Sequence, residues 1–354
     1  MAMLIIILHH FCVHGILKVL EPIPYPLTVD NLTWQLVLVQ LIGWGGYMSN
    51  GIFVVITGYY MFRRSVKYKK VVLLAMTMCF YSWFIGLIFY GGSFFDFSAK
   101  GIVSSMVPMW FGTNWFVSCY IIFFFFIPYI NKLLESLTKA EFARLIFILF
   151  AVDTLLPAFK YVTFVNDSQL FYFCFMYCVG AYCRRYLLAN KEIPSNTYWR
   201  RAVLISLLFL MFTIIAFDLL GVITGKDIFV RKAWHFVKVC GVFVTISMFC
   251  YFATMSPFYS ALINRLAATT LGVYLIHEND LAREVIWKTF YPGLDYFSSS
   301  YFVVFMIAKV LAVYFTCTLI EQIRLRCIEP MFVRLIEYLR LQLSKISFIP
   351  SKIE

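Results

Sequence analysis

The chain has 354 residues, of which 62% are hydrophobic, 20% aromatic and only 14% charged. Soluble domains are about 45–50% apolar and about 25% charged, and disordered chains are poorer still in apolar residues, so both classes are excluded. The formal charge of +12 does not indicate nucleic-acid binding, because the basic residues cluster between hydrophobic runs and no nucleic-acid-binding motif accompanies them. The composition therefore predicts an all-α polytopic integral membrane protein.

Ten hydrophobic segments are each long enough, or nearly so, to form a membrane-spanning helix of about 20 residues in a single bundle. In chain order they are residues 1–17, 34–62, 71–92, 116–134, 142–160, 168–187, 202–224, 233–256, 266–287 and 300–323. The second is too long for one span and contains several glycines, so we expect it to bend or break. We predict a transmembrane domain at 1–326 and a cytoplasmic amphipathic tail at 327–354.

The lysines and arginines predict the orientation of the chain, because cytoplasmic loops carry an excess of them. With the N-terminus inside, twenty of the thirty fall in inner loops and the tail, and eight fall outside. The other two, Lys238 and Lys309, lie within spans. Both termini are therefore predicted to be cytoplasmic. The apolar residues of the tail follow helical spacing, which indicates either an interfacial amphipathic helix or a plain anchor next to the membrane.

Ionisable side chains are costly inside a bilayer, so each one within a span is a candidate functional residue. All five histidines lie in or beside spans: His9, His10, His14, His235 and His277. The predicted topology places six ionisable residues at the middle or in the outer half of the membrane: His10, Asp153, Lys238, His277, Glu278 and Lys309. We expect them to line one polar chamber.

Three interpretations are open for the histidines of the first segment. His10 and His14 are four residues apart and would share one face of a helix. Such a pair could bind a metal, but no third ligand lies at an informative spacing, and we expect no metal site. The pair could also simply be packed and hydrogen-bonded. The functional alternative is a general base, because an imidazole with a pKa near 6.5 can take a proton from a hydroxyl group.

Two further groups of polar residues interrupt apolar sequence. His277 and Glu278 follow an apolar run directly, where the carboxylate could orient an imidazole, or where the span could simply reach water. Asn114, Trp115 and Tyr120 could form a substrate platform or belong to the aromatic belt at the membrane surface.

A strongly basic stretch, residues 63–70, follows the second segment and carries five positive charges. It could be a topology signal that also attracts anionic lipid. The functional alternative is a binding surface for a phosphorylated cytosolic donor, with Arg63, Arg64 and Lys67 neutralising phosphates.

Four stretches of this sequence, in the expected order, together resemble the membrane acyltransferase family 3. The run from Met3 to Phe11 (MLIIILHHF) resembles the first span of that family, whose motif ends on a histidine. Asn50 to Tyr59 (NGIFVVITGY) resembles the second-span motif, and the segment around Asn114-Trp115-Phe116 resembles the fourth span. Leu271 to Asn279 (LGVYLIHEN) resembles a segment near the end of the family domain.

The resemblance implies a bacterial cytoplasmic-membrane enzyme with about ten spans. Members take an acyl group, usually acetyl, from cytosolic acyl-CoA and pass it to a hydroxyl of a surface carbohydrate, without a bound cofactor. The catalytic histidine would be His10, with His9 as the alternative, and Arg64 and Lys67 would lie near a basic motif that helps with the donor. The family has a second arginine where Lys67 stands. It also has an arginine eleven residues before the histidine, a position that falls before Met1. Either the natural start lies further upstream, which the short first span favours, or this copy is catalytically impaired.

In a reaction of this kind, the other candidate residues have possible roles as well. Asn50, Asn114 or Lys238 could stabilise the oxyanion, and Glu278 or Asp153 could orient the base. The expected partners are acyl-CoA, a carbohydrate acceptor, membrane lipid and other proteins of glycan assembly. The alternative functions are a flippase for lipid-linked glycans, against which the absence of internal repeats argues, and a polysaccharide polymerase, which would be expected to carry a larger external loop.

Overall fold

The structure is a computed structural model that describes residues 2–20, 28–29, 32–92, 94–96, 98–159, 168–188, 194–226 and 228–345. Over these ranges the regular structure is entirely helical and contains no strand, which confirms the all-α prediction. The last nine residues of the predicted tail, 346–354, lie outside the described residues.

Seventeen α-helices are present in the described ranges. They are α1 Ala2–Cys12, α2 Trp34–Gly43, α3 Gly45–Met61, α4 Tyr68–Gly91, α5 Ala99–Met106, α6 Pro108–Phe111, α7 Trp115–Ser136, α8 Lys139–Phe150, α9 Leu156–Phe159, α10 Gln169–Tyr182, α11 Asn196–Thr224, α12 Ile228–Ala253, α13 Ala261–Ala268, α14 Thr270–His277, α15 Asp280–Glu284, α16 Phe302–Cys327 and α17 Glu329–Lys345. Short π-helical turns continue α1, α8, α10 and α15, at Val13–Leu17, Ala151–Leu155, Cys183–Leu187 and Val285–Thr289.

Within the described part of the chain, seven helical stretches are long and apolar enough to cross a membrane. They are Trp34–Met61, Tyr68–Gly91, Trp115–Ser136, Lys139–Phe159, Asn196–Thr224, His235–Ala253 and Phe302–Cys327. The prediction of a multi-pass membrane protein is confirmed, and the number ten and the cytoplasmic termini stay predictions.

The second hydrophobic segment breaks where the glycines are concentrated, as expected. Helix α2 ends at Gly43 and α3 begins at Gly45, with Trp44 between them. The ninth segment differs from the prediction of one span over 266–287, because it forms three short helices, α13, α14 and α15. Asn279 has an extended backbone, and its side-chain oxygen accepts a hydrogen bond from the Leu281 amide at 3.1 Å. This cap starts a new helix and so ends the preceding one.

The chain forms two compact units, each assembled from separated stretches. The first comprises Met1–Arg64, Ile127–Phe258 and Pro292–Ile307, and the second comprises Ser65–Phe126, Tyr259–Tyr291 and Ala308–Glu354.

In the first unit, α3 and α10 cross with their backbones in contact. A Cβ atom on Gly180 would collide with the carbonyl oxygen of Val55, and one on Gly58 would collide with the carbonyl oxygen of Tyr177. Small residues allow this kind of close crossing in membrane helices, where helices gain little from the hydrophobic effect and depend on packing. The crossing therefore fixes α3 closely against α10.

The first unit also has an apolar core in which α3 packs against α11 and α12. The buried members of this core are Trp44, Met48, Leu210, Ile214, Val237, Cys240 and Val244. Trp44, the residue between α2 and α3, is thus buried in this core.

In the second unit, α17 packs along α4. Phe80 and Phe332 make an edge-to-face contact with their ring centroids 6.0 Å apart. The Lys69 ammonium donates to Glu337 Oε1 at 2.6 Å, and this hydrogen bond and charge lower the pKa of the Glu337 carboxyl. The pair is exposed, so it contributes little to stability.

Candidate active site

His9 connects the first helix to the α2–α3 break through a hydrogen bond. Its Nδ1 lies within hydrogen-bond distance of the carbonyl oxygen of Gly43, and since a carbonyl can only accept, Nδ1 is the donor. A Cβ atom on Gly46 would lie 2.5 Å from Cδ2 of the His9 ring, so only glycine leaves room for the imidazole there. The glycines of this break therefore position the histidine helix.

His10 and His14 lie on one face, as their spacing predicts. Their ring centroids are 5.2 Å apart, and the His10 ring is 5.0 Å from that of His9. His10 is only 7% exposed and His14 9%. Both imidazoles are therefore buried inside the protein.

The first unit also contains a small polar cavity. Its lining residues are Tyr47, Asp153, Ser168, Gln169, Tyr172 and Lys238. Two of them, Asp153 and Lys238, are residues that the sequence predicts to bind substrate because they carry charge within spans. The other four were not among the predicted site residues.

The carboxylate of the cavity lies on irregular backbone. Asp153 belongs to the π-helical turn Ala151–Leu155, and its Oδ2 accepts a hydrogen bond from the hydroxyl of the buried Thr154 at 2.9 Å. Single π-helical turns within α-helices occur frequently at functional sites. Here the turn interrupts an apolar helix at the residue that contributes the charge.

The beginning of α3 connects the histidine helix with the cavity. Gly46 contacts the His9 ring, and the next residue, Tyr47, lines the cavity. Because consecutive Cα atoms are about 3.8 Å apart, one turn of helix borders both features. Asn50, one turn further along α3, is half-buried. The structure thus brings His9, Asp153 and Lys238 onto neighbouring parts of the first unit.

In the second unit, His277 and Glu278 have partners that the sequence did not predict. His277 is fully buried, and its Nδ1 donates to the carbonyl oxygen of Val273 at 2.5 Å. Arg283 donates to Glu278 Oε1 at 3.2 Å and to Asp280 Oδ1 at 2.7 Å. The helix backbone thus uses Nδ1 of His277, and the orientation of an imidazole by a carboxylate here stays a prediction. Arg283 could have been found from its helical spacing to Asp280.

Asn114 precedes α7 in the second unit and is fully buried. Neither atom of its side-chain amide has a hydrogen-bond partner among the described residues. Trp115 and Tyr120 are half-buried, and both rings contact that of Phe116, at centroid distances of 5.7 and 5.9 Å. A buried amide without a partner costs free energy, so Asn114 is suited to a role with a bound group.

A buried ionic network in the second unit also escaped sequence reasoning. Glu321 Oε2 accepts hydrogen bonds from the Tyr81 hydroxyl at 2.5 Å and from Arg324 Nε at 2.7 Å, and Arg324 Nη2 reaches Glu329 Oε2 at 2.7 Å. Glu321 and Arg324 are 1% and 4% exposed. The feature of the sequence that could have revealed this ion pair is the spacing of three residues between Glu321 and Arg324 on one apolar helix.

The three predicted donor-binding residues are all exposed. Arg63 and Arg64 end the first stretch of the first unit, and Lys67 is the third residue of the second unit. The Arg63 guanidinium lies 5.4 Å from the Phe62 ring centroid, and its Nε is 3.9 Å from Glu135 Oε1. Ion pairs this exposed are weak, so these cations remain available to a phosphorylated ligand.

Comparison with known proteins gives one match. A model of family 3 of the acyltransferases, described as an acyltransferase domain, matches residues 1–321. No curated protein and no solved structure matches the chain.

Proposed function

Since this chain belongs to acyltransferase family 3 and is a multi-pass membrane protein, we propose that it is an O-acyltransferase of surface glycans. The acyl group, for which we choose acetyl, comes from cytosolic acyl-CoA. The acceptor is a hydroxyl of a cell-surface polysaccharide or of its lipid-linked precursor at the bacterial cytoplasmic membrane. One observation carries the proposal: the family match covers residues 1–321, which include the buried His10 and His14 and the charged Asp153 and Lys238 of the polar cavity.

We propose His10 as the general base. Its imidazole takes the proton of the sugar hydroxyl as the oxygen attacks the thioester carbonyl. The carbon–sulfur bond then breaks, and the imidazolium returns the proton to the thiolate of CoA. What supports this role for His10 rather than for the alternative, His9, is that the catalytic histidine of the resembled first-span motif falls on His10, which is only 7% exposed.

The tetrahedral intermediate needs a hydrogen-bond donor for its oxyanion, and three candidates remain. Asn114 is supported by its buried amide, which has no partner in the described part of the chain. Asn50 is supported by its place on α3, one turn from Tyr47, and Lys238 by its place in the cavity lining. Trp115 and Tyr120 remain proposed as an aromatic surface for the substrate.

The acyl-CoA donor would approach from the C-terminal end of α3, opposite the end that borders the cavity. This helix has 17 residues and is therefore about 25 Å long, with Tyr47 near its beginning and Arg63 just past its end. In the predicted topology the Arg63 end is cytosolic, so Arg63, Arg64 and Lys67 would bind the phosphates of acyl-CoA. The pantetheine arm would carry the thioester along the helix.

His277 and Glu278 are proposed as auxiliary catalytic residues in the second unit. Because Nδ1 of His277 is the donor to Val273, Nε2 carries the lone pair of the neutral ring. Glu278 forms an ion pair with Arg283 at 3.2 Å, and its carboxylate would stabilise an imidazolium at His277.

The experiment compares surface glycans from a deletion strain, with and without the gene supplied on a plasmid, by mass spectrometry. We expect the glycan of the deletion strain to keep its amount and chain length and to lose one class of O-acyl group, which the plasmid restores. An unchanged O-acyl content would contradict the proposal. Loss or shortening of the polymer itself would instead indicate a flippase or a polymerase.

A further inference from the structure

Helix α5 descends along the outer part of α4 in the second unit. A Cβ atom on Gly101 would collide with the hydroxyl oxygen of Tyr90, and the indole N–H of Trp83 donates to the carbonyl oxygen of Met106 at 2.8 Å. Because a helix rises about 1.5 Å per residue, Met106 lies about 12 Å below the end of α4 at Gly91. In the predicted topology this end of α4 is the outer one, so α5 carries the chain into the outer half of the membrane.

Helix α7 begins near the depth that α5 reaches and continues along the inner part of α4. The Ser118 hydroxyl donates to Met78 Sδ at 3.8 Å, and the ring centroids of Phe125 and Tyr68 are 6.0 Å apart. Met78 lies about 20 Å from the outer end of α4, and Asn114 precedes Ser118 by about one turn, or about 6 Å. The N-terminus of α7 therefore lies about 14 Å below that end. Helices α5 and α7 form one discontinuous span, and α6 lies at its break.

The N-terminus of α7 is buried, and several polar groups beside it are unpaired in the described part of the chain. Asn114, the residue before the helix, is 0% exposed, and neither atom of its side-chain amide has a partner among the described residues. The ring of Tyr274, which lies on α14 and is 6% exposed, contacts that of Phe116 at a centroid distance of 5.9 Å. The Tyr274 hydroxyl lies near the backbone of Phe116 but makes no hydrogen bond of normal geometry to a described residue. Buried polar groups without partners cost free energy, so this cluster is suited to a bound group.

A group that accepts hydrogen bonds suits this place. The Asn114 amide and the Tyr274 hydroxyl can both donate, and the first backbone N–H groups of a helix have no partner within it. The positive end of the helix dipole also points toward this end of α7. In membrane transporters, the N-termini of discontinuous helices use the same properties to bind negatively polarised groups of a substrate.

The neighbouring charges favour a neutral oxygen over a permanent anion as the bound group. The Tyr274 hydroxyl experiences the negative charges of Glu278 and Asp280 and the positive charge of Arg283. Arg283 pairs with both carboxylates, at 3.2 and 2.7 Å, so these three charged residues together carry one net negative charge. A phosphate or carboxylate would add further negative charge here. A carbonyl oxygen is neutral when it binds and becomes charged only as the reaction proceeds.

We propose that the N-terminus of α7 binds the carbonyl oxygen of the acyl group and stabilises the oxyanion that forms from it. The donors are the Asn114 amide, the Tyr274 hydroxyl and the N–H groups of the first turn. As the sugar oxygen bonds to the carbonyl carbon, the π electrons of the carbonyl move onto its oxygen, and they return when the carbon–sulfur bond breaks. The inference rests on the proposed function and makes it more specific, because it selects Asn114 from three candidates and adds Tyr274, which was not among the predicted site residues.

The first test measures acetyl transfer from radiolabelled acetyl-CoA to carbohydrate in inverted membrane vesicles. Asn114→Ala removes the amide, and Tyr274→Phe removes only the hydroxyl and keeps the ring against Phe116. Loss of one oxyanion donor typically lowers kcat about 10²–10³-fold. We expect a loss of this order for Asn114→Ala and of about tenfold or more for Tyr274→Phe, with the KM for acetyl-CoA changed less than about threefold. The matched controls, Asn264→Ala and Tyr259→Phe, alter exposed residues of the same types and should act like the wild type.

Infrared spectroscopy adds a readout that a purely structural role would not change. Acetyl-CoA labelled with carbon-13 at the acetyl carbonyl is bound to the full-length protein in lipid nanodiscs, without acceptor, and its C=O band is recorded. Hydrogen bonds to the oxygen lower the frequency of this band, so we expect a lower frequency with the wild type than in water and a smaller shift with each site variant. Thermal melting confirms that each variant is folded, and Tyr274→Phe alone decides if Asn114→Ala does not fold. An unshifted band with the wild type, or wild-type kcat and shift in the folded site variants, would overturn the inference.

The two measurements separate this inference from the proposed function. If the carbonyl band shifts through Asn114 and Tyr274 but no label reaches carbohydrate, the N-terminus of α7 binds the acyl group and the proposed acceptor fails. If label reaches carbohydrate equally well with the wild type and both site variants, the proposed function stands and this inference fails.

Discussion

Replacing His10 by alanine is expected to lower glycan O-acylation by about 10²–10⁴-fold, the range that general-base catalysis typically contributes. The loss follows because no group would remain at this position to take the proton of the sugar hydroxyl. Mass spectrometry of the glycan from the deletion strain carrying the variant measures the effect, with immunoblots to show equal protein amounts.

Two matched variants separate the roles of the neighbouring histidines. His9→Phe keeps a ring against Gly46 but loses the hydrogen bond to Gly43, so we expect reduced protein stability with measurable activity. His14→Gln keeps a polar side chain next to His10 and should be far less impaired than His10→Ala. Full activity of His10→Ala would contradict its assignment. Equal losses at His10 and His14, together with inhibition by a chelator, would favour the metal-binding alternative.

Replacing Gly180 by leucine is expected to prevent the first unit from folding. The first atom of any side chain at this position would overlap the backbone carbonyl of Val55, and a backbone atom cannot rotate away. Overpacking typically costs about 1–3 kcal/mol, and a clash of side chain with backbone is among the severe cases. Fluorescence-detected size exclusion of detergent-solubilised protein measures the folded fraction.

The matched control for this variant is Gly91→Leu. Gly91 lies at the end of α4, and a Cβ atom there would have nothing within 4 Å. We expect Gly91→Leu to give a normal monodisperse peak while Gly180→Leu gives aggregate or no protein. A normal peak from Gly180→Leu would show that α3 and α10 do not cross with their backbones in contact.

The sequence predicted those parts of the fold and site that depend on local patterns. The all-α membrane class follows from composition, and the break at Trp44 follows from the concentration of glycines in a segment too long for one span. The shared face of His10 and His14 follows from helical spacing. Asp153 and Lys238 were singled out because charges are costly in a bilayer, and both line the cavity.

Features that depend on residues distant in sequence could not be predicted in this way. Tyr47 and Tyr172 are 125 residues apart, and in a chain that is 20% aromatic nothing distinguishes them from the other aromatic residues before the helices pack. The cap formed by Asn279 competes with an apolar run that favours a continuous helix, and tertiary structure decides between the two. Arg283 looked like an outer-loop charge until its contact with Glu278 was visible.

The central claim is that this membrane protein transfers an acyl group from acyl-CoA to a carbohydrate with His10 as the base. The most direct measurement supplies acetyl-CoA, radiolabelled in the acetyl group, to inverted membrane vesicles, which expose the cytosolic face, and follows label that alkali releases from carbohydrate. We expect ester-linked label in vesicles with the wild-type protein and background levels with His10→Ala. Background levels with the wild type, or equal labelling with both proteins, would contradict the claim.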